Sequence, residues 1–97
     1  MEAKILNLDE LETVTGGRQL TSNEKNSLNQ AMEKYRSIYI NDPEQKKFCQ
    51  DYLYEMQGLC MYYADGISAN KFGNKEYLFQ DFVKEYGSKE MYRFLYE

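Results

Sequence analysis

The sequence predicts an all-α protein, a small bundle of three to four helices preceded by a short amphipathic N-terminal segment. Three observations carry this. Apolar residues from position 22 onward recur at intervals of three and four, the period of a buried helix face. Helix caps and stops punctuate those runs. Sustained period-two alternation, which a half-buried strand requires, is missing. With 97 residues and 42% hydrophobic content, the chain is one domain at most, with material for a modest core.

Within the first segment, Leu6, Leu11 and Val14 fall at intervals of five and three. On a helix they cluster on one broad face, and Asp9, Glu10 and Glu12 take the remaining surface. Gly16-Gly17 ends the segment. Taken alone, such a pair is also an ordinary helix stop.

Arg18 to Leu20 reads as a linker, after which Thr21 and Glu24 have the spacing of a capping box. The first helix of the body is expected over 22–40, burying Leu28, Met32, Tyr35 and Tyr39 with Ala31 and Ile38 alongside. Asn41-Asp42-Pro43 closes it: Asp42 suits an N-cap, and Pro43 suits a first helical position, where its missing N–H costs nothing.

A second helix is expected from Pro43 to about Ala64, with Phe48, Cys49, Tyr52, Leu53, Met56, Leu59, Cys60 and Tyr63 as its apolar stripe. Gly58 within it costs about 1 kcal/mol relative to alanine, or else permits close approach of another helix. Asp65-Gly66 supplies the stop and 67–74 a connection. A third helix over 75–86 buries Leu78, Phe79, Phe82 and Val83 and ends at Gly87. Ser88 caps a last short helix carrying Met91, Phe94 and Leu95.

The formal net charge is −4, from 12 Lys and Arg against 16 Asp and Glu. Beyond Gly17 there are 11 bases and 12 acids, so residues 18–97 are close to neutral. Nucleic-acid binding needs a clustered basic face, and simple membrane disruption by a peptide needs cationic attraction to anionic lipid. Neither fits this balance, and other membrane contact is left open. No run has the length of a transmembrane helix, and no Sec-type signal precedes the body, so export would take a dedicated route.

Histidine is absent. That removes the commonest general base, the Cys-His and Ser-His pairs, and the commonest transition-metal ligand. The glycines form neither a Walker nor a dinucleotide pattern. Catalysis, a cofactor and a metal are accordingly not expected. Asp65 and Glu76 bound a twelve-residue window like a calcium loop, but Ile67 and Ala69 stand where oxygen ligands are required, and Asn70 where the turn wants glycine.

Cys49 and Cys60 are eleven residues apart. On a continuous helix they share a face at a separation of about 16 Å, too far for an intramolecular disulfide. Three arrangements remain: the helix breaks near Gly58 and folds back, both thiols are core residues, or they pair between chains.

The stretch Leu6-Asn7-Leu8-Asp9-Glu10-Leu11-Glu12-Thr13-Val14-Thr15-Gly16-Gly17 resembles the double-glycine leader of exported bacterial peptides, a family that includes bacteriocins, peptide pheromones and precursors of modified natural products. Leu6, Glu10-Leu11, Val14 and Gly16-Gly17 all stand in that family's register, with Asn7 where a serine is frequent. The resemblance implies a 1–17 leader and an 18–97 mature body. It also implies a partner, an ABC transporter that carries its own cysteine-peptidase domain. Leu6, Leu11 and Val14 would dock in the peptidase groove, Glu10 would be a polar contact, and the chain would be cut after Gly17. Two residues without Cβ let the backbone thread a narrow cleft.

The expected product is then a secreted, bacteriocin-like or signalling polypeptide whose further partners are a target-cell receptor or an immunity protein. The alternative is a cytoplasmic helical binding module of immunity or regulatory type, in which residues 1–17 form merely another helix.

Overall fold

The computed structural model describes residues 18–97, among which five helices are found. They are α1 (Ser22–Asn41), α2 (Lys46–Asp51), α3 (Leu53–Ser68), α4 (Phe79–Tyr86) and α5 (Lys89–Tyr96). The chain is all-α over this range. α1 is the central strut, packing against α2, α4 and α5, while α3 packs against α2 and α4.

α1 starts where the sequence places it. The Thr21 hydroxyl accepts from the Glu24 backbone N–H at 3.0 Å, and the Glu24 carboxylate accepts from the Thr21 N–H at 2.8 Å, closing the capping box. Leu28, Ala31 and Tyr35 are buried, with Met32 and Ile38 packed at the edge. Tyr39 departs from the expected stripe: it is 40% exposed, with the Lys46 ammonium 5.4 Å from its ring centre. The core ends one turn before it, so the apolar period continues beyond the surface that can receive it.

The single helix expected from Pro43 to Ala64 is two. Asp42 does gather orphan N–H groups, its Oδ1 accepting from Glu44 and Gln45 at 3.1 and 3.3 Å, but residues 43–45 form a turn and α2 begins only at Lys46. The break falls at Tyr52 (φ −105°, ψ 14°) rather than at Gly58. Phe48 explains the bend: its ring lies stacked between Tyr52 (4.1 Å) and Phe94 of α5 (4.4 Å), which ties the short α2 to the C-terminal helix. Leu53, just past the break, is 41% exposed instead of buried.

α3 runs past the expected Asp65-Gly66 stop to Ser68. Gly66 serves packing instead: a Cβ there would lie 2.2 Å from the Phe72 ring. Termination is the work of Asn70, in the left-handed region at φ 60°. The Lys71 N–H bonds the Gly66 carbonyl (2.8 Å) and the Asn70 N–H bonds the Ile67 carbonyl (2.9 Å), the paired bonds of a Schellman motif. Among the described residues Gly58 admits no neighbouring helix, since a Cβ there meets Tyr62 of its own helix, at 3.8 Å.

The third expected helix loses its first turn: residues 76–78 are not helical, Leu78 is extended (φ −76°, ψ 154°), and α4 starts at Phe79. Local propensity is overridden from α1. Glu24 takes the Tyr77 N–H (2.8 Å), and the Ser27 hydroxyl takes the Phe79 N–H (2.9 Å), acting as an N-cap supplied from another helix. α5 opens as expected, with the Ser88 hydroxyl accepting from the Met91 N–H at 3.1 Å. Glu55 of α3 fastens the same corner, accepting from the Ser88 N–H at 2.7 Å and from its hydroxyl at 3.1 Å.

The core lies where α1, α3, α4 and α5 converge. Tyr63, Phe79, Val83 and Met91 are fully buried, and Tyr63 meets Phe79 edge-on at 5.2 Å and Phe82 at 5.4 Å. Aromatic pairs of this kind contribute about 0.5–1.5 kcal/mol each beyond area burial. The Tyr63 hydroxyl is satisfied by the Tyr77 carbonyl, and that of Tyr35 by the Cys49 carbonyl.

Candidate functional site

A densely bonded pair of polar groups, Arg18 and Glu24, stands at the start of α1. The Glu24 side chain is fully buried in the first turn of α1. Arg18 grips it with two parallel bonds of 2.9 Å, one to each carboxylate oxygen, and the Thr21 and Tyr77 N–H groups complete the set. Burial alone would raise the Glu24 carboxyl, but these donors outweigh it and hold the group below the ordinary carboxylate value. Glu24 in turn raises the Arg18 guanidinium above its already high value.

Arg18 reaches further. Its Nε donates to the Gly73 carbonyl (3.3 Å), and its Nη atoms also donate to the carbonyls of Gln19 (3.2 Å) and Lys75 (3.1 Å). Its backbone N–H donates to the Ser68 carbonyl at 3.0 Å. Arg18 is thereby bonded to the far end of α3 and to the α3–α4 connection. Glu76 adds a parallel tie, accepting from the Thr21 hydroxyl (2.6 Å) and the Asn23 amide (3.4 Å). It acts as a second brace on the α1 cap.

Of the residues singled out in the sequence, Leu6, Glu10, Leu11, Val14, Gly16 and Gly17 lie outside the described residues. Cys49 and Cys60 are both free and buried, and the break at Tyr52 places them on different helices, α2 and α3. Burial raises both thiols, Cys60 to about 12. Their thiolates are therefore scarce near neutrality, and nucleophilic chemistry at either sulfur is suppressed.

Arg18 was expected only as linker and Glu24 only as a cap. Periodicity and capping rules treat residues locally, and the one local hint is an arginine six positions ahead of a capping-box glutamate.

Two surface features complete the description. An open groove of about 340 Å³ is lined by Phe72, Lys75, Glu76, Tyr77, Glu85 and Tyr86. On α3, Tyr54 and Tyr62 stand 86% and 63% exposed, eight residues apart on one face with Gly58 between them. Among the described residues, no group of three or more Cys, Asp and Glu side chains is placed to hold a metal, and no helix is long and apolar enough to cross a membrane.

The class that fold and site define, over residues 18–97, is a small all-α fold with an aromatic core, in which the buried Glu24 carboxylate is paired with Arg18. Comparison with protein-family models, with curated proteins and with solved structures finds no match to this chain.

Proposed function

We propose that the chain is the precursor of an exported, bacteriocin-like or signalling polypeptide, cut after Gly17 by a peptidase-containing ABC transporter. The register of Leu6, Glu10, Leu11, Val14 and Gly16-Gly17 carries the reading. What the fold adds concerns Arg18, the residue after the glycine pair: its side chain pairs with Glu24, which also closes the α1 cap. A cut after Gly17 removes none of those groups. Leu6, Leu11 and Val14 are the docking residues of this proposal and Glu10 its polar contact, and the product acts through its surface rather than by catalysis. Mass spectrometry of culture supernatant should find a species beginning at Arg18. Recovery only of the intact chain, inside the cell, would defeat the proposal.

The exposed Tyr54 and Tyr62 on α3 favour a second reading, a cytoplasmic helical binding module of immunity or regulatory type. Exposed aromatics on one helix face suit a protein partner. The same measurement separates the two, since the module stays intact within the cell.

A further inference from the structure

Resting on the leader reading, we infer that the folded body protects the Gly17–Arg18 bond, so that the transporter's peptidase cuts the chain before the body has folded. In a cysteine-peptidase step the thiolate attacks the Gly17 carbonyl carbon and the bond to the Arg18 nitrogen breaks. That nitrogen takes a proton from the catalytic acid and leaves as an amine. Water then splits the thioester into the Gly17 carboxyl group and the free thiol.

The leaving nitrogen is therefore the backbone nitrogen of Arg18, and in the folded body its N–H points at the carbonyl of Ser68, a residue that is 1% exposed. Five further bonds hold the same residue, to Glu24 twice and to the carbonyls of Gln19, Gly73 and Lys75. Two positions on, Leu20 belongs to the core. A peptidase cleft that takes extended chain on both sides of the cut cannot accept Arg18 to Leu20 until these contacts open. Cleavage of such a site follows the population of the opened form.

All six donors belong to Arg18 itself, so they survive the cut. A product that folds after processing sets its new amino group against the Ser68 carbonyl at the C-terminal end of α3, where the helix dipole favours a positive charge. The order of events is then cleavage first and closure of the Arg18–Glu24 lock second.

The test uses the isolated peptidase domain of the host's Gly-Gly-cleaving transporter on four substrates. These are a synthetic peptide of residues 1–24, the folded full chain, and the full chain carrying Glu24→Gln, with the same substitution in a control peptide. The expected result is cleavage after Gly17 in both peptides, a rate at least about tenfold lower in the folded chain, and recovery of most of that difference in the variant. If the peptides are not cut, the leader reading itself falls. If they are cut and the folded chain is cut as fast, the leader reading stands and the protection is refuted. Amide hydrogen exchange on the unsubstituted chain gives an answer independent of how the variant folds: the Arg18 N–H should exchange as slowly as helical amides of α1. Exchange at the rate of a free peptide would equally refute the inference.

Discussion

The Glu24 carboxylate accepts the backbone N–H of Tyr77 at 2.8 Å, and through that bond the first turn of α1 dictates the conformation of a segment more than fifty residues later. The same carboxylate is paired with Arg18 and shielded from water. Glu24→Gln keeps the shape and loses the charge that Arg18, itself only 18% exposed, needs. Breaking a pair of this kind should cost about 3 kcal/mol, read as a lowered urea midpoint, and should loosen the segment before α4 that Glu24 holds through the Tyr77 N–H.

The same group sets an acid limit. Its folded-state value is depressed, so its contribution is fully present above the unfolded value near 4.5 and is lost as the pH falls through the lower folded value. The urea midpoint should drop as the pH falls below about 4.5, and the drop should be shallower in the Glu24→Gln chain. An equal slope in both would contradict the assignment.

Gly66 and Phe72 form a notch and its filling. Gly66→Ala should gain about 1 kcal/mol in helix propensity but drive a methyl into the Phe72 ring, for a net loss. With Phe72→Ala in the background the obstruction is gone, and the same change should become stabilising. The sign reversal across the double-mutant cycle, measured by thermal unfolding, is the diagnostic.

Both thiols should resist iodoacetamide in the native protein and react in denaturant without reductant, as buried free cysteines do. Cys60 also predicts alkaline weakness. Its folded value, raised from 9.0 to about 12, means that its contribution is intact below pH 9 and disappears as the pH climbs toward 12. Burial of Tyr35, likewise raised to about 12, acts in the same direction from its ordinary value of 10.0. Cys60→Ala should flatten the loss of stability between pH 9 and pH 11, whatever its effect at neutrality.

The Tyr96 hydroxyl is buried without a hydrogen-bond partner among the described residues. Removing an unsatisfied polar atom relieves its desolvation cost, so Tyr96→Phe should be neutral or raise stability by about 1 kcal/mol. A clear loss in the thermal midpoint would show that the hydroxyl is satisfied in solution.

The sequence by itself determined the helical class, the capping box at Thr21 and Glu24, the cap at Ser88 and most of the core, from Leu28 and Tyr35 to Phe82, Met91 and Leu95. These follow from spacing and short-range hydrogen bonding, which a linear reading can see. It also contains the Leu6 to Gly17 motif on which the proposed processing rests. Only the tertiary structure decided the break at Tyr52, where Phe48 stacks with both Tyr52 and Phe94 and ties α2 to α5. The same holds for the late start of α4, where Glu24 and Ser27 take N–H groups from a distant segment. Gly66 packs instead of stopping its helix because Phe72 needs the space, leaving Asn70 to end α3. The Arg18–Glu24 lock is the clearest case, since a buried charge pair depends on which groups water cannot reach, and burial is a property of the assembled fold.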